Sequence, residues 1–284
     1  MNKLELQNYN LQLTLLGGQS FSWTLENGYY IGTLKDSVIV LKPEGKDILW
    51  QSYPKKNDRQ IVEDYLNISP TYDQNIKAIS KDKFIKDAIE KYSGLRILKQ
   101  DYGTVLLNFI LTSHKSIKAV RKLVKDLSRK YGQEIKSDYG VHYLFPRAEI
   151  IAKLSEKELK DIGAGFRAKY LKSAAEKILN DKDNVNLKKM SLKEAKEYLI
   201  NFNGIGDKIS DCVLVFGLGF QEVTPLDIWA KRVLTDFYNV NPKSSYYEMQ
   251  EWFFGYFEGN VALAGQFLFE YIRNLPKHKT NNIK

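Results

Sequence analysis

The spacing of hydrophobic positions changes after the first fifty residues of the chain. Between residues 11 and 51, apolar and polar positions alternate, which is the period of a strand with one buried face. Asn27-Gly28 lies between two such runs and favours the tight turn of a β-hairpin. The pattern therefore predicts an antiparallel β-meander with strands over 11–15, 21–25, 29–34, 38–41 and 48–50.

From about residue 56 onward, the apolar spacing lengthens to that of helices. A helix is predicted from Ile117, with Val120, Val124 and Leu127 on the same face. Most other positions are basic, and we interpret them as a solvated outer surface in which only those at the helix start contact phosphate. These basic residues are Lys115, Lys118, Arg121, Lys122, Lys125, Arg129 and Lys130.

Three more helices are predicted around a glycine hairpin. Ser-Leu-Lys-Glu at 191–194 has the form of a capping box, and the helix that it begins runs to about Phe202. Asn-Gly-Ile-Gly-Asp at 203–207 ends this helix, and apolar positions over 209–216 indicate a second one. Thr-Pro-Leu-Asp at 224–227 opens the third. The result is a helix-hairpin-helix motif followed by a further helix.

The predicted fold class is α+β, with an N-terminal antiparallel β-sheet lobe followed by a mostly α-helical region that contains the helix-hairpin-helix motif. We expect an antiparallel β domain over 1–75. Residues 76–284 are expected to form a helical region in two lobes with the cleft between them. The polar tail, 277–284, is predicted to be disordered.

Composition and charge narrow the class of protein. The 43% of hydrophobic residues is too high for a disordered chain, and no apolar run approaches the ~20 residues of a membrane helix. One cysteine and three histidines argue against an internal disulfide, a clustered zinc site or an iron–sulfur cluster. The net charge of +9 suits a polyanion such as nucleic acid. With no secretory signal at its start, we expect an intracellular monomer, cytoplasmic or nucleoid-associated if bacterial or archaeal.

The hairpin glycines are the first candidate site. Without side chains, Gly204 and Gly206 leave backbone N–H groups open at a helix N-terminus, where the helix dipole favours a phosphate. A Gly-x-Gly sequence also serves as a plain turn between helices, so this signal alone is weak.

Two residues after the hairpin glycines add possible chemistry. Lys208 lies in the first turn of the second helix, and Asp227 begins the next helix nineteen residues later. A lysine must be neutral to attack a sugar carbon, and a helix N-terminus and partial burial both favour the neutral form. The position of Lys208 suits a nucleophile, with Asp227 as its carboxylate partner in one cleft. The alternatives are a solvated lysine and an N-capping aspartate, and the cap is compatible with catalysis.

Residues 203–212 and 223–229 together closely resemble the helix-hairpin-helix and Gly/Pro-Asp signature of the DNA glycosylase superfamily. Within it, the chain is most similar to the 8-oxoguanine DNA glycosylase/AP lyase family. The similarity extends over most of the chain, at Gly-Gln-Ser-Phe-Ser-Trp (18–23), Gly-Leu-Arg-Ile-Leu-Lys-Gln-Asp (94–101), Gly-Ala-Gly-Phe-Arg-Ala-Lys-Tyr (163–170) and Ala-Gly-Gln (264–266).

This resemblance implies roles for individual residues. It places the catalytic lysine at Lys208 and the aspartate at Asp227, and it implies base contacts from Cys212, Gln266 and the carbonyl of Gly18. It also implies a monovalent cation, K⁺ or Na⁺, bound by hairpin carbonyls, although no cofactor is required for the reaction. The carbonyls would be those of Ile200, Phe202 and Ile205.

The chain departs from the eukaryotic members where DNA is contacted. His114-Lys115-Ser116 replaces an asparagine run that fills the space left by the flipped nucleotide, and Ala119 replaces a nearby arginine. We expect DNA contacts from His114 and Lys115 and weaker discrimination of the base opposite the lesion; a structural or solvent-facing His114 is equally compatible. Trp229 replaces a histidine and is expected to reshape the floor of the base pocket.

The resemblance implies a bifunctional glycosylase and lyase that flips oxidised guanine out of double-stranded DNA. Two alternatives remain at this point: a glycosylase for alkylated purines or oxidised pyrimidines, and a DNA-binding protein without catalysis. The pairing of Lys208 with Asp227 favours an enzyme, and the segments around Gly18 and Gln266 favour the oxidised purine.

Overall fold

The chain is analysed as a computed structural model that describes residues 1–6, 8–54, 59–181, 187 and 189–275. Within these ranges, five N-terminal strands form one antiparallel sheet in the order β1-β5-β4-β3-β2. Asn27 and Gly28 have φ angles of 50° and 81°, as the predicted tight turn requires. The strands are β1 (Asn2–Leu4), β2 (Thr24–Glu26), β3 (Tyr29–Leu34), β4 (Ser37–Glu44) and β5 (Asp47–Tyr53).

The predicted first strand at Leu11, Leu13 and Leu15 is wrong. This segment is a helix, α1 (Leu11–Leu16), capped by Asn10, whose Oδ1 accepts a hydrogen bond of 3.0 Å from Leu13 N. Leu11, Thr14 and Leu15 are buried, which is the spacing of a helix. The leucines conceal this spacing because one of the three buried positions is a threonine.

The sheet also differs from the prediction at its two edges. The second strand was predicted over 21–25, but β2 begins at Thr24, and Phe21 and Trp23 are buried before it. The opposite edge strand, β1, was not predicted, and its Lys3 pairs with Leu49 of β5. Within the helical region, β6 (Glu134–Ser137) and β7 (Gly140–Tyr143) form an additional hairpin that the sequence pattern did not indicate.

The remainder of the described chain is mostly helical, as predicted. The helix from Ile117 and the capping box at Ser191 are confirmed, and the α10 helix ends at Ile200, two residues before the predicted end. The helices are α2 (Arg59–Tyr65), α3 (Tyr72–Ile79), α4 (Lys83–Lys91), α5 (Tyr102–Ile110), α6 (Ile117–Tyr131), α7 (Ala148–Lys153), α8 (Glu156–Asp161), α9 (Ala168–Asn180), α10 (Leu192–Ile200), α11 (Asp207–Val213), α12 (Ile228–Tyr238), α13 (Tyr246–Phe257) and α14 (Val261–Arg273).

Separate hydrophobic clusters support the sheet and the helices. Trp23, Trp50 and Leu66 belong to the sheet cluster, together with Leu98 from beyond the predicted boundary at residue 75. A larger cluster joins the helices from α3 to α14 and includes Phe21. The division at 75/76 stays a prediction, and the predicted tail, 277–284, lies outside the described residues. No helix in the described ranges is long and apolar enough to cross a membrane.

Candidate active site around the helix hairpin

The hairpin between α10 and α11 is closed on one side and open on the other. Gly204 has a φ of 82°, and a Cβ at this position would lie 2.5 Å from the Tyr170 ring, so only glycine fits. A Cβ at Gly206, the N-cap of α11, would meet no atom within 4 Å. The backbone at Gly206 is therefore accessible to an approaching group such as a phosphate.

Lys208 lies in the first turn of α11 and is half-buried. Its Nζ is 5.5 Å from the centre of the Phe109 ring, which is a cation–π contact. Phe109 in turn packs against Phe21 and Phe216, with ring centres 5.3 and 5.6 Å away. The amine is thus located above a stack of aromatic rings that joins α5 to the segment after Gly18.

Asp227 is the N-cap of α12, as its position predicted. Its Oδ1 accepts hydrogen bonds of 2.9 Å from the backbone N of Trp229 and of Ala230. Oδ2 makes no hydrogen bond within the part of the chain that the structure describes, so one oxygen caps the helix while the other stays available.

The buried thiol of Cys212 is influenced by both Lys208 and Asp227. Burial raises the pKa of its thiol to about 11; the charge of Lys208 opposes this rise, and the carboxylates of Asp211 and Asp227 add to it. Lys208 and Asp227 are each close enough to this thiol to affect its pKa. Lys208 and Asp227, the predicted catalytic residues, thus both influence the thiol of Cys212, a predicted base contact.

Gly18 is fixed by its neighbours in the sequence and in space. It has a φ of 102°, and a Cβ would lie 2.8 Å from Cδ1 of Ile117 at the start of α6. The adjacent Gln19 is fully buried, with its side chain donating to Arg96 O at 2.7 Å and accepting from Leu98 N at 2.9 Å. Two of the segments that carry the family resemblance, 18–23 and 94–101, are therefore held together by one glutamine.

Gln266 is buried on α14, which connects the Gly18 side to the Asp227 side. A Cβ at the preceding Gly265 would clash with Oγ1 of Thr224, in the loop that leads to Asp227. Glu270, one turn after Gln266, lies 2.9 Å from where a Cβ of Gly17 would be. Because residues four apart share a helix face, Gln266 is on the side of α14 nearest Gly17 and Gly18.

His114 lies on an exposed surface away from the buried residues. Its φ is 54°, and its ring centre is 6.3 Å from that of Phe166, which is 52% exposed. Arg167 fixes the loop, donating from both Nε (2.8 Å) and Nη2 to the carbonyl of Ser113. Lys115 follows in the same loop and is half-buried.

Trp229 and the predicted cation ligands lie on either side of the catalytic residues in sequence. Trp229 is half-buried, and the guanidinium of Arg232 is 5.3 Å from its ring centre.

In the hairpin, Phe202 O accepts a hydrogen bond of 3.0 Å from Ile205 N, and a carbonyl has a second lone pair for a cation. Lys177 Nζ donates to Asn201 O at 3.3 Å, which places one positive charge beside these carbonyls.

Sequence reasoning missed two buried carboxylates and one exposed ring. Asp211 and Glu270 are 0% and 1% exposed, and burial raises the pKa of each. Asp211 precedes Cys212, and Glu270 lies one turn after Gln266, but only the fold brings their partners to them. No residue spacing indicates that these two charges are buried. Phe166 was part of a quoted segment, and only the structure shows that it is exposed beside His114.

Family models match most of the chain. The model of the 8-oxoguanine DNA glycosylase N-terminal domain matches residues 2–106, which include Gly18 and the segment 94–101. The model of the HhH-GPD superfamily of base excision DNA repair proteins matches residues 107–254, more than half of the chain, including Lys208 and Asp227.

Individual proteins are similar over nearly the whole length. The N-glycosylase/DNA lyase of Saccharomyces cerevisiae is 27% identical over 273 residues, covering 87% of this chain and 72% of the yeast protein. A crystal structure of the Clostridium acetobutylicum 8-oxoguanine glycosylase/lyase with double-stranded DNA is 28% identical, with a TM-score of 0.87 and coverage of 93% and 92%. The 3-methyladenine DNA glycosylase of Archaeoglobus fulgidus shares the fold, with a TM-score of 0.80 at 20% identity and coverage of 96% and 99%. The chain belongs to the HhH-GPD superfamily of base excision DNA repair proteins and has the N-terminal domain of the 8-oxoguanine DNA glycosylases.

Proposed function

We propose that this protein is a bifunctional DNA glycosylase and AP lyase that removes 8-oxoguanine from double-stranded DNA. The observation that carries this proposal is that Lys208, in the first turn of α11 above the Phe109 ring, and Asp227, the N-cap of α12, both act on the buried thiol of Cys212. Gly18 and Gln266 are connected to the same place through α14. Similar proteins are named as glycosylase and lyase, or as 8-oxoguanine glycosylases.

In the proposed reaction, the damaged nucleotide is first flipped out of the duplex, at a cost of a few kcal/mol that pocket contacts offset. The neutral amine of Lys208 then attacks C1′ of the sugar, and the bond from C1′ to the base breaks. The base leaves with the bonding electrons and takes up a proton. Asp227 stabilises positive charge that develops on the sugar and assists proton transfer from the amine.

Loss of a second proton from the amine and opening of the sugar ring produce a Schiff base between Lys208 and C1′. This imine makes the C2′ protons acidic. Removal of one of them expels the 3′ phosphate by β-elimination, and hydrolysis of the imine releases the lysine. One lysine can therefore supply both activities without a cofactor in the covalent steps.

The partner we propose is double-stranded DNA containing oxidised guanine, bound by a monomer. The net charge of +9 and the accessible backbone at Gly206 support binding to phosphates. If a K⁺ or Na⁺ ion is bound by the carbonyls of Ile200, Phe202 and Ile205, it adds positive charge beside that backbone. Acting on DNA, the protein would work inside the cell, in the cytoplasm or nucleoid if that cell is bacterial or archaeal.

Borohydride trapping tests this proposal directly. The unaltered protein should form a covalent complex with an 8-oxoguanine duplex on reduction, and Lys208→Gln should abolish trapping and base release while DNA binding is retained. Lys193→Gln, which alters an exposed lysine on α10, is the matched control and should trap normally. Full-rate trapping by Lys208→Gln would disprove the assignment of the nucleophile.

The same assay separates the remaining alternatives. Duplexes with 3-methyladenine or an oxidised pyrimidine in place of 8-oxoguanine should react more slowly. Faster release of either base would assign another substrate to the same site, whereas binding without any base release would indicate a non-catalytic protein.

A further inference from the structure

A buried polar network lies directly behind Lys208 and Cys212. Its centre is Asp211 on α11, which is 0% exposed. Asp211 Oδ2 accepts hydrogen bonds from Gln250 Nε2 at 2.6 Å and from Tyr246 Oη, both on α13. Asp211 Oδ1 forms an ion pair of 3.0 Å with Lys196 on α10. One buried carboxylate therefore joins three helices.

The same two α13 side chains also bind the loop that ends at Asp227. Gln250 Nε2 donates to Thr224 O at 2.6 Å, and its Oε1 accepts from Thr224 N at 3.4 Å. Tyr246 Oη accepts from Leu226 N at 3.3 Å. Each of these side chains makes one hydrogen bond to Asp211, and Tyr246 makes one and Gln250 two to the loop.

We propose, building on the function above, that Asp211, Tyr246 and Gln250 are positioning residues that set the geometry between Lys208 and Asp227. Asp211 is three residues from Lys208 on the same helix, so the bonds that hold Asp211 also hold the part of α11 that carries the Lys208 amine. Leu226 immediately precedes Asp227, so the hydrogen bond from Leu226 N to Tyr246 fixes the position of the Asp227 carboxylate. The two reacting side chains come from separate helices and are aligned through a third helix that contacts no substrate in this mechanism.

Electrostatics supports this role. Burial raises the pKa of Asp211 to about 6, despite the nearby charge of Lys196. At pH 7.5 the carboxylate is therefore charged and accepts from both Tyr246 and Gln250, as the network requires. Buried hydrogen bonds to a charge are stronger than neutral ones, which makes the alignment rigid.

A double-mutant cycle tests the proposal at pH 7.5. Gln250→Ala and Tyr246→Phe are each made in the unaltered protein and in Asp227→Asn, and single-turnover excision of 8-oxoguanine is measured per folded molecule. In the unaltered background, each change should lower the rate by roughly 10- to 100-fold, the scale of a misplacement of about 1 Å. In the Asp227→Asn background, the same changes should lower it by no more than about twofold, because the group that they position is already lost.

The control is Glu251→Ala, which alters an exposed residue on α13 and should leave both rates unchanged. Equal losses in both backgrounds would show that the network acts independently of Asp227 and would overturn the proposal, as would an unchanged rate in the unaltered background. If the unaltered protein does not excise 8-oxoguanine, the proposed function fails and this inference fails with it. Excision by the unaltered protein therefore separates the two failures.

Discussion

The two sides of the proposed active site are held together by different kinds of contact. On the side of Lys208 and Asp227, buried hydrogen bonds and an ion pair centred on Asp211 join three helices. On the side of Gly18, close packing at Gly17 and Gly265, which leaves no room for a side chain, adds to the two buried hydrogen bonds of Gln19. Polar networks respond to changes of charge and close packing responds to changes of volume, so the two sides should fail in different ways.

The largest effect is expected on the charged side. Asp227→Asn should lower the single-turnover rate of excision by roughly 10² or more, because a group that stabilises charge or transfers a proton is lost. The same change should lower the free energy of unfolding by about 1 kcal/mol at most, since the N-cap is weakened. Rapid-quench kinetics and thermal unfolding measure the two quantities separately. An unchanged rate per folded molecule would limit Asp227 to a capping role.

The next effect tests the packed side. Oxidation converts N7 of guanine from an acceptor to an N–H donor, so a carbonyl of Gly18 facing N7 would bind the lesion and repel guanine. One hydrogen bond gained and one unsatisfied partner avoided give roughly 10- to 10³-fold discrimination. A lesion methylated at N7, 8-oxo-7-methylguanine, should therefore be excised more slowly than 8-oxoguanine by a comparable factor.

The methyl group also adds bulk, so binding of both duplexes must first be confirmed. Gln266→Ala should slow excision of ordinary 8-oxoguanine by a smaller factor. Equal excision of the two lesions would mean that the Gly18 carbonyl does not read N7.

On both sides of the site, the sequence predicted features that depend on local signals and missed contacts between residues that are far apart in the chain. Lys208 and Asp227 could be placed because helix starts leave local signals, and the N-cap at Asp227 is confirmed. The network behind them could not, because Asp211 meets Gln250 across 39 positions. The contacts beside Gly18 join residues even farther apart in the sequence, since Gln19 binds Leu98 at a separation of 79 residues.

The error at Leu11–Leu15 has a related cause. Three leucines at alternate positions match a strand, but the segment ends in contacts with residues far along the chain, where Asn10 N donates to Gly94 O and Thr14 accepts from Arg96 N. A helix satisfies these contacts and buries Leu11, Thr14 and Leu15 together. Short apolar runs are ambiguous in period, and here tertiary contacts decided between the two readings.

The dependence of stability on pH tests the buried carboxylate of the charged side next. Burial raises the pKa of Asp211 from its ordinary value near 4 to about 6 in the folded protein, where it contacts Lys196 on α10 and Tyr246 on α13. Lys196 also pairs with Asp207, and the thiol of Cys212 is nearby on α11. The folded state therefore holds this proton more tightly than the unfolded state. Stability from this group is fully present below pH 4 and is lost as the pH rises to about 6.

Asp211→Asn removes this titration. Relative to the unaltered protein, the free energy of unfolding of the variant should rise by up to about 3 kcal/mol between pH 4 and pH 7. Urea unfolding at several pH values measures the difference, and parallel curves for the two proteins would contradict the assignment.

The smallest effect is expected at the exposed loop, which belongs to neither side. With Ala119 in place of an arginine and His114-Lys115-Ser116 in place of the asparagine run, no side chain of this loop offers the paired donors that discriminate one base from another by ~1–3 kcal/mol. Arg167, the nearby guanidinium, already donates to the carbonyls of Ser113 and Ala164.

We therefore expect excision rates opposite cytosine, adenine, guanine and thymine to differ by less than about tenfold, which is weaker discrimination than eukaryotic members show. Single-turnover rates on the four duplexes provide the comparison, and His114→Ala should slow all four by a similar factor because an exposed ring beside Phe166 fills space rather than reading a base edge. A strong requirement for cytosine that survives His114→Ala would mean that Arg167 leaves its carbonyl partners when DNA binds and reads the orphan base itself.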